Sequence, residues 1–218
     1  MNWTAAVDAY CERTGPEFWS EPLNAVTNLA FLIAAAYVWP RASGLPGARL
    51  LAVILAAIGI GSGLFHTLAT RWAGAADTLP ILIFILSYIY LATRDFFGAS
   101  GRIAALAVAM ALVGLPATAS VFAVLGVPGA AAGYLPVPLL ILGYGWALRH
   151  RSPDTARNLG IGAFILLVSL SLRTLDQPLC SSIPFGTHFL WHVLNAVMLG
   201  WMILVYRAHV LAGQSGPR

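Results

Sequence analysis

The chain contains no lysine; its twelve basic side chains are all arginine. Charge of either sign is scarce, at 9% of residues against about 25% in a typical soluble domain. With 59% hydrophobic residues, this excludes an ordinary water-soluble domain and marks an integral membrane protein. The net charge of +4 does not point to nucleic acid, because the arginines scatter along the ends of apolar runs and form no basic patch. The first residues are polar and mixed in charge, so no cleavable signal peptide is read there. No internal repeat is evident, and no Gly-x-Ser-x-Gly turn, the usual setting of a serine nucleophile, is present.

What is there is apolar run after apolar run. Seven spans of a length that crosses a bilayer are read at about 22–40, 49–69, 78–96, 103–122, 130–148, 158–175 and 187–208. Pro116, Gly126, Pro128, Pro136 and Pro138 interrupt the fourth and fifth, so six spans with one re-entrant segment is the alternative. The loops are short. The expectation is one all-α domain over residues 1–218, a seven-transmembrane helix bundle preceded by an extracytoplasmic segment, 1–21.

The arginines orient it. In a seven-span arrangement Arg41, Arg49, Arg94, Arg102, Arg149, Arg151, Arg157, Arg207 and Arg218 fall on one side, and only Arg13, Arg71 and Arg173 on the other. The arginine-rich side is expected to be cytoplasmic, with the N-terminus outside and the C-terminus inside. Asp8, Glu12, Glu17, Glu21, Asp77 and Asp176 collect on the outer side, Asp95 and Asp154 on the inner. Acids do not set topology, and a cation site on the outer face is one cause for such a bias. Cys11 and Cys180 also share the outer side, where a disulfide between them is expected. Two unpaired thiols are the alternative.

Three of the five histidines stand at one depth. His188 and His192 are four residues apart, hence about 40° apart around a helix and one turn along it. That spacing lets two imidazoles reach one metal ion, and a third ligand must come from elsewhere. His66, near the outer end of the second span, matches in depth; His150 and His209 lie on the cytoplasmic side. Three imidazoles match the protein ligands of a catalytic zinc, with the fourth position left to water. Polar side chains satisfied by neighbouring helices are the bland alternative. Ser62, one turn before His66, and Asp77, at the mouth of the third span, are the catalytic candidates. Asp77 is the proton carrier and Ser62 the hydrogen-bond donor to an oxyanion.

These residues carry a resemblance. Ser62-Gly63-Leu64-Phe65-His66, Asp77, His188-x-x-x-His192 with Trp191 before the second histidine, Tyr10-Cys11-Glu12, Glu21-x-x-Asn24-x-x-x-Asn28 and Leu175-Asp176 before Cys180 resemble the alkaline ceramidases. These enzymes sit within a wider superfamily of seven-span hydrolases and progestin/adiponectin-type receptors, and the resemblance runs from residue 8 to about 200. It implies zinc on His66, His188 and His192, with Ser62 and Asp77 as catalytic helpers. It also implies a Cys11–Cys180 disulfide and hydrolysis of a lipid amide such as ceramide to a fatty acid and an amine lipid. It further implies calcium on Asp8, Glu12, Glu21 and a backbone carbonyl near Tyr10, a ligand set rich in hard oxygen. The first acid stands one residue further from the cysteine than in the family pattern, and Thr14 replaces an expected asparagine.

The function expected is therefore a zinc-dependent amidohydrolase on ceramide or another N-acyl lipid. A non-ceramidase hydrolase or a lipid receptor of the same superfamily is the runner-up, and a metal transporter or haem protein the third reading. The partner expected is a lipid substrate within the membrane, with no nucleic acid. The arginine-only, Ala- and Gly-rich composition suggests a bacterial inner membrane with the site towards the periplasm. Trp3, Trp19, Trp39 and Trp72 stand at span boundaries as interface anchors.

Overall fold

The computed structural model describes residues 2–214. Arg218, counted above among the cytoplasmic arginines, lies outside the described residues. The chain is all-α. It runs through α1 (Pro22–Thr27), α2 (Leu29–Val38), α3 (Pro46–Leu68), α4 (Arg71–Phe97), α5 (Gly101–Val124), α6 (Gly129–Tyr134), α7 (Pro136–Leu148), α8 (Pro153–Leu175) and α9 (His188–Gln214). Six helical stretches, with α6 and α7 taken as one, are long and apolar enough to cross a membrane. A shorter apolar stretch, Pro22–Val38, makes the seventh.

The seven spans thus hold, and two of them are broken for local reasons. In the first, Thr27 Oγ1 donates to the Leu23 carbonyl (2.7 Å) and Asn28 Nδ2 to the Asn24 carbonyl (2.7 Å). Side chains that bond back into their own helix compete with the ladder and bend it, and α1 gives way to α2 at Asn28. The fifth span is divided at Leu135, before Pro136, whose missing N–H removes a rung. Pro116, by contrast, is carried inside an unbroken α5.

Burial ranks the helices. About three fifths of α9's apolar window and over half of α3's are buried, against 6% for α5. The last helix and the second span form the axis, and α5 presents nearly its whole surface outward. The core of Phe31, Leu51, Leu55, Ile58, Phe84, Leu166, Met202 and Ile203 lies between α2, α3, α4, α8 and α9. Glycine permits the closest approach. A Cβ on Gly61 of α3 would lie 2.0 Å from the Ala76 carbonyl oxygen of α4. Two helix backbones therefore touch at the level of the polar residues.

The N-terminal segment is strapped over the end of the bundle where α3 meets α4. Ala69, in the left-handed region at φ 44°, turns the chain between the two helices. The strap pairs with this turn: Val7 N–H donates to Ala69 O (2.8 Å), Arg71 N–H to Ala5 O (3.1 Å) and Trp72 N–H to Trp3 O (3.0 Å). A Cys11–Cys180 disulfide fastens the same segment to the α8–α9 loop, as expected.

Candidate metal centre

Helix geometry delivers three imidazoles to one point beneath that strap. His66 ends the second span, in the last turn of α3; His188 and His192 occupy the first two turns of α9. All three are buried, at 0–1% exposure. The ring centroids are 4.6–5.2 Å apart, and one nitrogen from each ring lies within 4.8 Å of the other two.

Each ring is oriented by a neighbour. His66 Nδ1 is 2.6 Å from Glu21 Oε2. A carboxylate there accepts the Nδ1 proton and leaves the Nε2 lone pair facing inward. His192 Nδ1 is 3.0 Å from Thr27 Oγ1. Because that hydroxyl donates its proton to the Leu23 carbonyl, it accepts from His192, so Nε2 again carries the free lone pair. His188 stacks on Tyr10 with centroids 3.7 Å apart and planes 20° apart. The nitrogens left without a partner are His66 Nε2, His188 Nδ1 and His192 Nε2, all buried. One orphaned buried nitrogen is uncommon. Three on rings that converge form a ligand set for a borderline-soft cation such as zinc.

Glu21 is the hub of the surrounding shell. Besides His66 it accepts from Arg13 Nε and from Asn24 Nδ2 (3.1 Å). Burial opposes its ionisation, but the His66, Arg13 and Asn24 bonds win and hold its carboxyl below the usual range. Arg13 in turn reaches the His66 carbonyl (3.1 Å) and the Gly15 carbonyl (2.9 Å), closing the strap onto the last turn of α3.

The two catalytic candidates are brought to the same place. α4 begins at Arg71, earlier than the apolar run, so Asp77 lies in its second turn rather than at its mouth. Asp77 and Ser62 are both buried, and Ser62 and His66 are among the groups that act on the Asp77 carboxyl.

Of the acids expected to hold calcium, Glu12 and Glu21 meet at Asn24 and Asp8 stands apart. Glu12 accepts the Leu23 N–H (2.7 Å) and the Asn24 N–H (2.8 Å), so it caps α1 from outside the helix. Glu21 is engaged as described, and Asp8 is exposed. Among the described residues, the histidine triad is the one set of three His, Cys, Asp or Glu side chains that converges. Glu12 and Glu21 brace the start of α1, the strap and His66.

Sequence reasoning missed several of the residues that build the site. Asp176 is the largest omission in role: Oδ1 accepts the Thr187 and His188 N–H groups (2.7 and 2.9 Å), and Oδ2 accepts the Cys11 N–H (3.0 Å). One carboxylate thereby caps α9 where it delivers His188 and holds the strap beside it. Thr27 and the Tyr10 ring were likewise not assigned to histidines. Burial pushes the Tyr10 phenol up to about 12, against the pull of Arg173. Beyond the triad, Phe31 meets the His192 ring edge-on and also lines an apolar cavity with Phe84, Tyr88, Tyr134, Leu166 and Trp191.

A search of curated proteins found no match for this chain. A family model described as Ceramidase matches residues 3–217.

Proposed function

We propose that this chain, which belongs to the ceramidase family along nearly its whole length, is a zinc-dependent hydrolase. It cleaves the amide of ceramide or a related N-acyl lipid to a fatty acid and an amine lipid. The observation that carries the zinc assignment is the convergence of three buried imidazoles, each with a nitrogen left without a partner. When bound there, zinc supplies Lewis acidity that polarises a carbonyl and makes water a stronger acid.

The remaining roles belong to the protein. Glu21 and Thr27 hold the Nδ1 protons of His66 and His192, which keeps both Nε2 lone pairs pointed at the ion. Asp77 takes the proton from the attacking water and returns it to the leaving nitrogen. Ser62, next to Asp77, donates to the amide oxygen where negative charge develops. The apolar cavity beside His192 takes the acyl chain, with the polar groups at one end. The site faces the extracytoplasmic side of a bacterial inner membrane, the side poor in arginine.

The test is metal content of the detergent-purified protein by elemental mass spectrometry, beside His66→Ala and His192→Ala, followed by turnover of a ceramide and N-acyl lipid panel. The expected result is about one zinc per chain, lost in both variants together with hydrolysis. A folded wild type that takes up no supplied zinc would overturn the proposal.

A further inference from the structure

Arg173 is the cation of the site that the mechanism above leaves without a task. It stands in the last turn of α8. Its guanidinium carbon lies 4.9 Å from the ring centre of Trp191, 5.2 Å from Tyr134 and 5.7 Å from Tyr10. The Tyr10 phenol is the polar group that those rings bring beside it. Among the described residues no carboxylate oxygen lies within 4.0 Å of it; the ion pairs are Arg13–Glu21, His66–Glu21 and Arg94–Asp95. Asp77 acts on it only through the longer-range field.

Arg173 is half-buried at the end of the bundle, and a cation drawn partly out of water there ordinarily finds a counter-ion. Three aromatic faces offset part of that cost, but rings carry no net charge, and a guanidinium has more N–H donors than one phenol can use. The position is also informative. Tyr134 and Trp191 line the apolar cavity, while Tyr10 stacks on His188. The charge therefore stands where an apolar chain would give way to the histidines. Planar guanidinium chemistry suits a carboxylate or phosphate in particular.

We propose that Arg173 is the docking cation for an anionic group, carboxylate or phosphate, carried by the substrate beside its amide. The substrates favoured are then N-acyl amino acids or other anionic N-acyl lipids over uncharged N-acyl amines. This rests on the amide-hydrolase reading above. An uncharged head group leaves the guanidinium without its counter-ion, whereas an anionic one completes the pair and sets the amide against the triad.

The experiment compares kcat/KM of the zinc-loaded full chain on N-palmitoylglycine and on N-palmitoylethanolamine, which differ in charge at nearly equal size, with ceramide alongside. The wild type is expected to prefer the anionic member by about tenfold or more. Arg173→Gln should bring the ratio near one, and Arg173→Lys should restore part of it. The ratio is the readout because loss of ring packing alone lowers both rates together. An unchanged ratio in Arg173→Gln, or no anionic preference in the wild type, would overturn the proposal. So would weaker inhibition by palmitate at an unchanged ratio, which would give Arg173 to the released fatty acid. Should no lipid, ceramide included, be turned over, the hydrolase reading fails by itself. Thermal-shift binding of the same two lipids to wild type and Arg173→Gln then still decides the charge preference.

Discussion

The Glu21 carboxylate holds His66 Nδ1 at 2.6 Å and pairs with Arg13 on its other oxygen, so one side chain ties the N-terminal strap to the His66 end of α3. Replacing it with glutamine removes the charged acceptor that selects the His66 tautomer and leaves Arg13 buried without its counter-ion. Glu21→Gln is expected to weaken zinc binding by about 10–100-fold. Chelator competition with the purified protein measures this, and an unaltered affinity would show that the carboxylate does not support the ligand.

Gly61 faces the Ala76 carbonyl of α4, and an added Cβ would lie 2.0 Å from that oxygen. Gly61→Ala must therefore push α3 and α4 apart at the level of Ser62, His66 and Asp77. The expected cost is about 1–3 kcal/mol of stability. A displacement near 1 Å is expected to lower turnover by roughly a hundredfold. Gly160→Ala, whose Cβ would meet nothing within 4 Å, is the control and should leave turnover alone.

Asp176 accepts three buried backbone N–H groups, from Cys11, Thr187 and His188. Asp176→Ala orphans all three. The expected destabilisation is roughly 2–4 kcal/mol, read as a lowered unfolding temperature in detergent. Zinc retention should fall with it, because His188 is the first residue of the helix that Asp176 caps.

Ala69 sits at φ 44°, ψ 50°, where an L side chain crowds its own backbone. Glycine takes that conformation without the clash, so Ala69→Gly should stabilise the protein by about 0.5–1 kcal/mol. Ala69→Val, with a branched side chain, should cost more than it saves. Thermal unfolding of the two variants in one detergent separates them by sign.

The seven spans were legible because a bilayer demands long apolar runs whatever their packing. The two breaks were not equally so. Pro136 announced one, while the bend at Asn28 depends on side chains that bond back into the helix, which hydropathy does not register. The triad was legible from spacing and depth. His188 and His192 share a helix face, and His66 stands at the matching end of its span. Its supports were hidden, because Glu21, Thr27 and Asp176 reach it across 45, 165 and 12 residues of chain. Glu21 and Glu12 were noticed as outer acids and assigned to calcium; that Glu21 also orients His66 and Glu12 caps α1 depends on contacts that nothing local in the sequence marks. Arg173 was counted only for topology; its three rings come from three separate segments.

The disulfide joins residues 169 positions apart. The strap can therefore pair with the α3–α4 turn early, but it cannot be fastened at Cys11 until the loop before the last helix has emerged. Glu21 and Arg13 ride on the strap, and two of the three histidines ride on the last helix. Convergence of the three histidines is consequently an end-of-synthesis event, and a chain cut short before residue 188 keeps His66 without the other two.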